Sequence, residues 1–522
     1  MLTLPLPPAL ASAAVVFYGP HGAVTQQAAH RGVPRPTLYR EAHAVVRALD
    51  PQPHQEELDR LRQQLNDVQA QCVQLHRRLE TAVVVDIDKQ TEFAVTGQAN
   101  GVSLAVLQKL LAVILSAATP SRAEQGRRSR AMGRHAGALL AILDHYSRGR
   151  ARQVAADEIF SGRRPILMMV EQDSLCWLGG RLANNRDGET WAEEFRTLSG
   201  AEQVTADGGQ GLRKGVALVS AERQQAGQER LYDQRDHFHI VHRARRGRRG
   251  ARYQARLALQ RAEKAQAAYE HAGRQGVRRS SMQGRLLNQA WAKAEQAFDR
   301  WTAQEAADNR LRLALPLITP DGALNTRARA EAEVQAALAG QTGDDWERTR
   351  RLLTPEAFTF LDRVQAELEA LPVPEELRQV ALREETLRRR PEARRGNSAE
   401  AAVARGLLLV ASATLALAGA VGEQARLLVR RVLDRAWRSS SLVEGINSVV
   451  RMHQRRQKRM TQGLLDLQRL YWNMKVFQAG KRKKTSPYGR LGLALPKGGW
   501  WSLLKLTPEQ LKEQLSALNP AA

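Results

Sequence analysis

Short apolar segments bounded by polar residues, a pattern typical of β-strands, occur clearly in only one region of the chain. The predicted strands are 152–160, 164–172, 174–183, 202–207 and 236–243. Helical periodicity predicts a helix at 188–198 and another around 211–225, so that a helix precedes each of the last two strands. Residues 151–243 are therefore expected to form an α/β domain.

From 244 to 435 there is no strand pattern, and long charged amphipathic stretches predict helices throughout. The longest apolar run, GLLLVASATLALAGAVG at 406–422, has 17 residues and lies at the lower limit of length for a membrane span. Its many alanines and glycines favour a buried helix. The N-terminal segment lacks a basic start and contains several prolines, so it is not typical of a signal peptide.

Residues 22–48, within an N-terminal domain at 1–50, have the pattern of a helix-turn-helix. Thr25 is expected to cap a short helix that ends at Gly32, and Pro36 suits the first turn of a second helix. That helix would present four side chains to the major groove of DNA: Arg35, Thr37, Tyr39 and Arg40. An ordinary helical hairpin is the alternative.

Over 54–84 apolar residues recur at alternating spacings of three and four, as at the a and d positions of a coiled coil. They are Leu58, Leu61, Leu65, Val68, Cys72, Leu75, Leu79 and Ala82. The pattern favours a coiled coil that joins two copies of the chain. A long helix packed within one chain is the alternative.

A second helical domain is predicted at 98–150, with a cluster of arginines at its central turn. They are Arg122, Arg127, Arg128, Arg130 and Arg134. The cluster indicates a second DNA-contacting domain or, alternatively, a solvated basic turn.

The 522-residue chain has a net charge of +25, which favours a polyanionic partner, nucleic acid before membrane. Its two cysteines are not in zinc-binding spacing, so neither a zinc finger nor a disulfide framework is expected.

Three antiparallel strands, a helix, a strand, a helix and a last strand follow the order of an RNase H-like fold, whose carboxylates converge on two divalent ions. Asp207 ends the fourth predicted strand before two glycines that permit close approach, although a simple Asp-Gly turn has the same sequence. The first acid is Asp157 or Asp173. Asp157 is favoured because a hairpin then fits between it and Asp207, and Glu158 is a neighbouring candidate.

Glu444 is the only acid in the basic stretch SSSLVEGINSVVRMHQRRQKRM at 439–460. The serines can cap a helix with Glu444 in its first turns, and Asn447 and Arg451 then lie on the same face. Glu444 would hold a metal ion, or else balance charge at the surface. The cations expected to bind DNA phosphates here and in a basic tail at 481–522 are Arg451, Arg455, Arg456, Lys458, Arg459, Lys481 and Arg482.

The segments ADEIF, VTADGG, DHFHIVHR and SSSLVEGINSVVR, with the tail LLDLQRLYWNMKVFQAGKRKKTSP, resemble those of DDE transposases of the bacterial insertion-sequence type. The resemblance covers roughly 150–245 and 430–490. It implies a mostly helical multidomain protein in which an RNase H-like core is interrupted by an all-helical insertion at 244–435. The core would close with its last helices at 436–480.

By this resemblance, Asp157, Asp207 and Glu444 form a triad that binds two Mg²⁺ or Mn²⁺ ions. Asp236 and His239 match an Asp-x-x-His motif and would support the site, or else serve the fold only. The implied reaction is cleavage at transposon ends followed by strand transfer into target DNA. A homodimer or larger homo-oligomer in the bacterial cytoplasm, associated with the nucleoid, is expected.

Two other functions remain open from the sequence. A DNA-binding regulator would need the helix-turn-helix and the basic helices but not the triad. A structure-selective nuclease would use the same fold without strand transfer.

Overall fold

The computed structural model describes residues 6–81, 85–115, 120–275, 281–390, 398–456 and 460–520, without the side chains of 51–54, 81 and 456. The chain forms two compact units, Met1–Asp86 and Ile87–Ala522. It is mostly helical and contains one small mixed sheet. This confirms the expected mostly helical protein with a single α/β region.

The first unit begins with three helices, α1 (Pro8–Tyr18), α2 (Ala23–Arg31) and α3 (Arg35–Leu49). Gly32 has the predicted left-handed conformation, with φ 64°, and Pro36 lies in the first turn of α3. Thr25 does not cap α2, because the helix begins after Gly22 and has no side-chain cap. The predicted pair of helices and its turn are thus present, but the predicted cap is wrong.

The helix α1 was not predicted. Hydrogen bonds between polar side chains connect it to α2 and α3. Arg31 donates hydrogen bonds to Glu41 and to Ser12, each at 2.6 Å, and Ser12 donates to Glu41 at 2.5 Å. Leu38 and Ala42 on α3 are fully buried. One face of α3 therefore packs internally and the other remains exposed.

The helix α4 (Pro51–Thr81) continues this unit as a single long rod. Every side chain from Gln55 to Glu80 is exposed. The leucines and the valine of the predicted seam are 48% to 66% exposed, and Cys72 is exposed as well. Packing within the same chain therefore does not account for the seam over 55–80; Ala82, its last predicted position, lies outside the described residues.

The second unit contains five strands, β1 (Gln153–Ser161), β2 (Arg164–Glu171), β3 (Trp177–Leu182), β4 (Gln203–Ala206) and β5 (Tyr232–Arg235). Their order in the sheet is β3-β2-β1-β4-β5. The first three strands are antiparallel neighbours, whereas β4 and β5 run parallel to β1. Four of the five predicted strands are confirmed.

The fifth strand prediction, at 236–243, is wrong. The strand β5 lies just before that segment, and Asp236 caps the helix α10 (His237–Arg274) by accepting a hydrogen bond from the N–H of Phe238 at 2.7 Å. The apolar residues of FHIVH also fit an alternating strand pattern. The segment is helical because Asp236 caps the helix that begins at His237. The helices α8 (Gly188–Arg196) and α9 (Gln210–Gln225) are confirmed.

Helices cover both faces of the sheet. On one face the core includes side chains of α7 (Arg122–Arg148), α8 and α9. On the other face, Ala155 and Ile159 of β1 belong to a cluster with Val443 and Ile446. The latter two lie on α18 (Ser441–Arg456), the helix that carries Glu444. Alternating residues of β1 are thus buried on opposite faces, which fixes its register.

Two predicted segments are not separate from this core. The helices α5 (Ile87–Ala99) and α6 (Leu104–Leu115) precede α7, whose Leu139 and Leu143 are buried in the core of the sheet. The last helices are α19 (Gln462–Met474), α20 (Pro487–Arg490), α21 (Trp500–Leu504) and α22 (Pro508–Leu518). Tyr488, Leu504 and Leu511 are buried in the same core. The predicted tail at 481–522 is therefore largely a folded part of the unit.

Between β5 and α18 the described residues contain helices and one isolated bridge, Ile318 to Leu324. After α10 come α11 (Ser281–Ala314), α12 (Arg327–Leu338), α13 (Asp344–Leu352), a 3₁₀ turn (Pro355–Phe358), α14 (Thr359–Glu369), α15 (Glu375–Arg389), α16 (Ala399–Leu417) and α17 (Gly419–Asp434). The predicted helical region is confirmed. It contacts the sheet where Gln234 of β5 accepts a hydrogen bond from the N–H of Phe360 at 2.8 Å.

The apolar run at 406–422 is not a buried helix. It is divided between α16 and α17 at Gly419, which has φ 57°. Among the described residues, α16 is long and apolar enough to span a membrane. Only 22% of its apolar stretch is buried within the protein. Its buried stripe consists mainly of alanines such as Ala404 and Ala411, whereas Leu409 and Leu417 are exposed.

Candidate active site

Asp207 and Asp236 directly follow the carboxyl ends of β4 and β5, and Asp157 lies on β1 just beyond the part of that strand that pairs with β4. Val154 and Ala155 of β1 pair with Val204 and Thr205 of β4, so Asp157 and Asp207 both follow two residues beyond the last pair. Ala206 pairs with Arg235, and the N–H of Asp236 donates to the carbonyl of Ala206 at 2.9 Å. Asp157, Asp207 and Asp236 therefore lie side by side along one edge of the sheet.

Asp173 lies at the other end of the sheet, in the turn between β2 and β3. Glu171, two residues earlier, pairs with Val154 near the start of β1. Asp173 forms an ion pair with Arg490 at 3.1 Å. Of the two alternatives for the first acid, only Asp157 is therefore on the same edge as Asp207.

The carboxylate of Asp157 is held by hydrogen bonds from neutral groups. Asn447 of α18 donates to its Oδ2 at 2.6 Å, and the N–H of Glu158 donates to its Oδ1 at 2.8 Å. Burial, followed by the nearby charge of Asp207, raises the pKa of Asp157 to about 7. Asp157 and Asp207 are thus close enough for their charges to repel each other.

The backbone after β4 shapes the surroundings of Asp207. Gly208 has φ +87°, a conformation that favours glycine, and the N–H of Gly209 donates to Oδ1 of Asp207 at 2.9 Å. This is the geometry of an Asp-Gly turn. The turn and a role in the site are compatible, because the turn holds the carboxylate beside Asp157.

Asp236 is almost completely buried and connects three elements of the site. Besides capping α10, it accepts hydrogen bonds from Nδ1 of His239 at 2.8 Å and from the hydroxyl of Ser440 at 2.6 Å. Burial opposes its ionisation, but the hydrogen bonds from His239 and Ser440 prevail and lower the pKa of Asp236. Asp236 is thus an ionised anchor rather than a free ligand.

The hydrogen bond to Asp236 raises the pKa of His239 against the effect of burial, and the charges of Asp207 and Glu444 add to the increase. With Nδ1 bound to Asp236, the Nε2 atom of His239 lies 3.8 Å from Oε1 of Glu444. Asp236 and His239 were predicted as strand residues, but they are three apart at a helix start. That arrangement lets His239 lie between Asp236 and Glu444.

Glu444 lies in the first turn of α18, as predicted, and is partly exposed. The start of α18 is fixed to the strand ends through Ser440 and through Asn447, which lies one turn beyond Glu444. In addition, Gln172 donates to the carbonyl of Ser439 at 2.8 Å. The serines that were predicted to cap the helix thus also position it against the sheet.

Glu158, the neighbour of Asp157, has a different partner from Asp157. It forms an ion pair with Arg186, and burial raises its pKa although Arg186 opposes the shift. Arg186 also lies 5.3 Å from the centre of the Phe160 ring. Sequence reasoning missed the roles of Ser440 and Arg186, because neither has a local signal beyond its residue type.

The described residues contain no ready-made group of three or more His, Cys, Asp and Glu side chains that could hold a metal ion. The chemistry of the donor set nevertheless fits Mg²⁺ or Mn²⁺, which prefer carboxylate and amide oxygens. Asp157 and Asp207 repel each other, and Oδ1 of the buried Asn447 has no hydrogen-bond partner. A cation beside these oxygens would relieve both unfavourable features.

The residues predicted to contact DNA fall into different surroundings. Arg35, Tyr39 and Arg40 are exposed on α3, and Thr37 is partly buried. On α7, Arg127 and Arg128 both pair with Glu124, whereas Arg130 and Arg134 are exposed.

Near the C-terminal end of the site, Arg451 and Arg455 are exposed on α18, and Lys481 is exposed as well. Lys458, Arg459 and the side chain of Arg456 lie outside the described residues. Arg482 instead donates to the carbonyls of Asp173 and Gln172 at 2.9 and 3.0 Å. These bonds hold the guanidinium of Arg482 against the turn between β2 and β3, and its contact with DNA stays a prediction.

Comparison of the chain with known protein families, with curated proteins and with solved structures finds no match in any of the three. The functional assignment therefore depends on the sequence and on the geometry of the site.

Proposed function

We propose that this protein is a DDE transposase that cleaves DNA at transposon ends and transfers the freed strand into target DNA. The observation that carries the proposal is the convergence of Asp157, Asp207 and Glu444 at the carboxyl edge of a β3-β2-β1-β4-β5 sheet. This order, with the first three strands antiparallel, agrees with an RNase H-like fold. The helical region before α18 has the place expected of an insertion.

Asp157, Asp207 and Glu444 would hold two divalent ions, which when bound activate the attacking oxygen and stabilise the leaving one in an in-line phosphoryl transfer. Asn447 orients the carboxylate of Asp157 by its hydrogen bond at 2.6 Å. The pair of Asp236 and His239 positions Glu444 and keeps the first turn of α18 at the strand ends. These are positioning roles.

The exposed arginines of α18 and the exposed face of α3 supply cations for the DNA backbone and side chains for base edges. The seam of α4 supports a homodimer. In a parallel pair in register, Glu57 of one copy faces Arg62 of the other across the seam, an attractive g to e′ pair. The exposed Cys72 lies on the same seam, so mild oxidation should link two copies through Cys72.

The test compares wild type with Glu444→Gln on duplexes that carry the DNA flanking its own gene, with Mg²⁺ or Mn²⁺. Cleavage and DNA binding are scored separately, and Asp173→Asn is the matched control because Asp173 lies at the opposite edge. We expect wild type and Asp173→Asn to cut at a fixed position. Glu444→Gln should bind equally without cutting.

The other outcomes separate the alternatives. Binding without cleavage by wild type would favour a regulator. Cleavage of branched DNA without joining of a freed 3′ end would favour a structure-selective nuclease. Full activity of Glu444→Gln would disprove the proposed triad.

A further inference from the structure

A cavity of about 310 Å³ opens directly beside the candidate active site. Phe238, Val241 and His242 of α10 line it from one side, and Leu315 and Pro316 from another. It also reaches Arg438 and Ser439, and the next residue, Ser440, is hydrogen-bonded to Asp236. The cavity therefore adjoins the edge of the sheet where Asp207 and Glu444 lie.

Phe238 lines this cavity and is 45% exposed. Its ring is stacked on that of His242, with centroids 5.9 Å apart and planes inclined by 22°. Its edge contacts the ring of His239, at 5.5 Å and 83°. An exposed phenylalanine held in this way by two histidines offers a fixed surface on which a planar group can stack.

Two arginines at the cavity lack an anionic partner within the part of the chain that the structure describes. Arg438 makes no side-chain hydrogen bond or ion pair there, and burial alone lowers its pKa. The Nε atom of Arg245 is buried and has no hydrogen-bond partner. By contrast, Arg312, which also lines the cavity, is paired with Asp308 at 3.0 Å.

A half-buried cation without a counter-charge is unfavourable unless a ligand supplies the charge. Arg438 and Arg245 would be neutralised by a negative charge, and Phe238 lines the same cavity. A nucleotide provides both complements, because its base stacks on aromatic rings and its phosphate pairs with guanidinium groups. The cavity volume lies at the lower end of the range for small-ligand sites, about 300–1,000 Å³.

We propose that this cavity binds one unstacked nucleotide of the DNA strand next to the cleaved bond, with its base against Phe238 and its phosphate at Arg438 and Arg245. This inference rests on the proposed function, because it places the nucleotide beside Asp207 and Glu444. It adds a binding site for a base outside the double helix.

The experiment uses the full chain and the same flanking duplexes, with 2-aminopurine placed at successive positions around the cut. This base fluoresces more strongly when it is unstacked from its DNA neighbours. We expect binding of Glu444→Gln, which keeps the DNA intact, to change the fluorescence at one position. Adding Phe238→Ala should abolish this change and weaken binding by roughly 5- to 150-fold.

Tyr253→Ala is the matched control, because Tyr253 is also an exposed aromatic residue on α10 and lies outside the cavity. It should leave the signal unchanged. Phe238→Trp should restore it, and Arg438→Gln should weaken binding. Duplexes that lack the base at the responsive position should bind wild type and Phe238→Ala alike.

The outcomes for the two proposals differ. If wild type cuts the DNA but no position responds in a way that depends on Phe238, the nucleotide site is disproved and the function stands. If the response is present but no cleavage occurs, the site stands and the transposase proposal fails. If Tyr253→Ala has the same effect as Phe238→Ala, the cavity is not the cause.

Discussion

The two ends of the central sheet both carry several acids, but they differ in what faces those acids. At the amino end of the parallel strands, Glu202 pairs with Arg363 at 2.5 Å and Asp173 pairs with Arg490 at 3.1 Å. At the carboxyl end, Asp157 receives hydrogen bonds from the neutral amide of Asn447 and from a backbone N–H. There the charge of Asp207 also raises the pKa of Asp157, after burial, so these two carboxylates lie near each other.

The difference shows why cavity size does not identify the site. The amino end adjoins a larger cavity, of about 620 Å³, in which arginines and acids are mixed. Because those charges are mostly paired with each other, that end gains little from binding an ion. The carboxyl end has uncompensated negative charge, which a divalent cation would neutralise.

The largest expected effect is a difference in cleavage between variants of two acids, one at each end of β4. Asp207→Asn, at the carboxyl end of β4, should reduce cleavage on the order of 10³-fold, because it removes a metal ligand. Glu202→Gln, at the amino end, should leave cleavage unchanged but lower stability, because Arg363 is nearly buried and loses one of its two acidic partners. Cleavage assays and urea denaturation of both variants test this; equal loss of activity would remove the distinction between the ends.

A second prediction concerns stability and pH without metal. The folded protein raises the pKa of Asp157 to about 7, above the value near 4 of an unfolded chain. Between about pH 4 and about pH 7, Asp157 is therefore protonated in the folded state but ionised in the unfolded state. The free energy of unfolding falls as the pH rises from about 4 to about 7. Asp157→Asn should avoid this loss.

The variant should be more stable than wild type by a few kcal/mol at pH 8, and about equal near pH 4. Urea denaturation in EDTA at both pH values measures the difference. The unpaired Oδ1 of Asn447 could then accept a hydrogen bond from the new amide. A difference that is the same at both pH values would show that charge is not the cause.

Metal binding should stabilise the folded protein, and above the dissociation constant the gain should rise with the logarithm of the free-ion concentration. At 100 times the dissociation constant, Mn²⁺ should add about 2.7 kcal/mol to the free energy of unfolding. The gain should shrink below pH 7, as Asp157 becomes protonated, and should be absent in Asp207→Asn. Thermal denaturation with and without Mn²⁺ measures it; an undiminished gain in Asp207→Asn would place the ion elsewhere.

The smallest effect is expected from the amide that supports Asp157. Asn447→Ala should weaken metal affinity by about 10- to 100-fold, and higher Mg²⁺ should recover most of the cleavage. Gln454→Ala is the control, because Gln454 lies on the same helix but donates to the carbonyl of Phe160. A loss that no Mg²⁺ concentration restores would indicate a structural role instead.

Much of the sheet could be predicted because its first four strands lie in short, largely apolar segments. The strand β5 escaped prediction because YDQR is short and polar, and Gln234 and Arg235 are buried only by virtue of hydrogen bonds and an ion pair. The choice between Asp157 and Asp173 depended on strand register, which links residues far apart in the chain. The hydrogen bonds of Arg482 could not be predicted for the same reason, since its partners lie in the distant turn between β2 and β3.

The partners of two exposed surfaces stay predictions: a second copy of the chain for the seam of α4, and DNA for α3. The helix α4 was predicted from the spacing of its apolar residues, and α3 from Gly32 at the turn before it and Pro36 in its first turn. The tail at 481–522 shows the opposite limit. Its lysines and arginines dominate the composition locally, yet Tyr488 and Leu504 determine where it packs.

The hydrogen bond between Asn447 and Asp157 joins residues 290 positions apart. During synthesis at roughly 5 to 20 residues per second, the ribosome would need about 15 to 60 s to travel that distance. The helices of the first unit emerge long before α18, when the proposed triad is still incomplete. If the proposed function holds, cleavage can therefore begin only after nearly the whole polypeptide has been made.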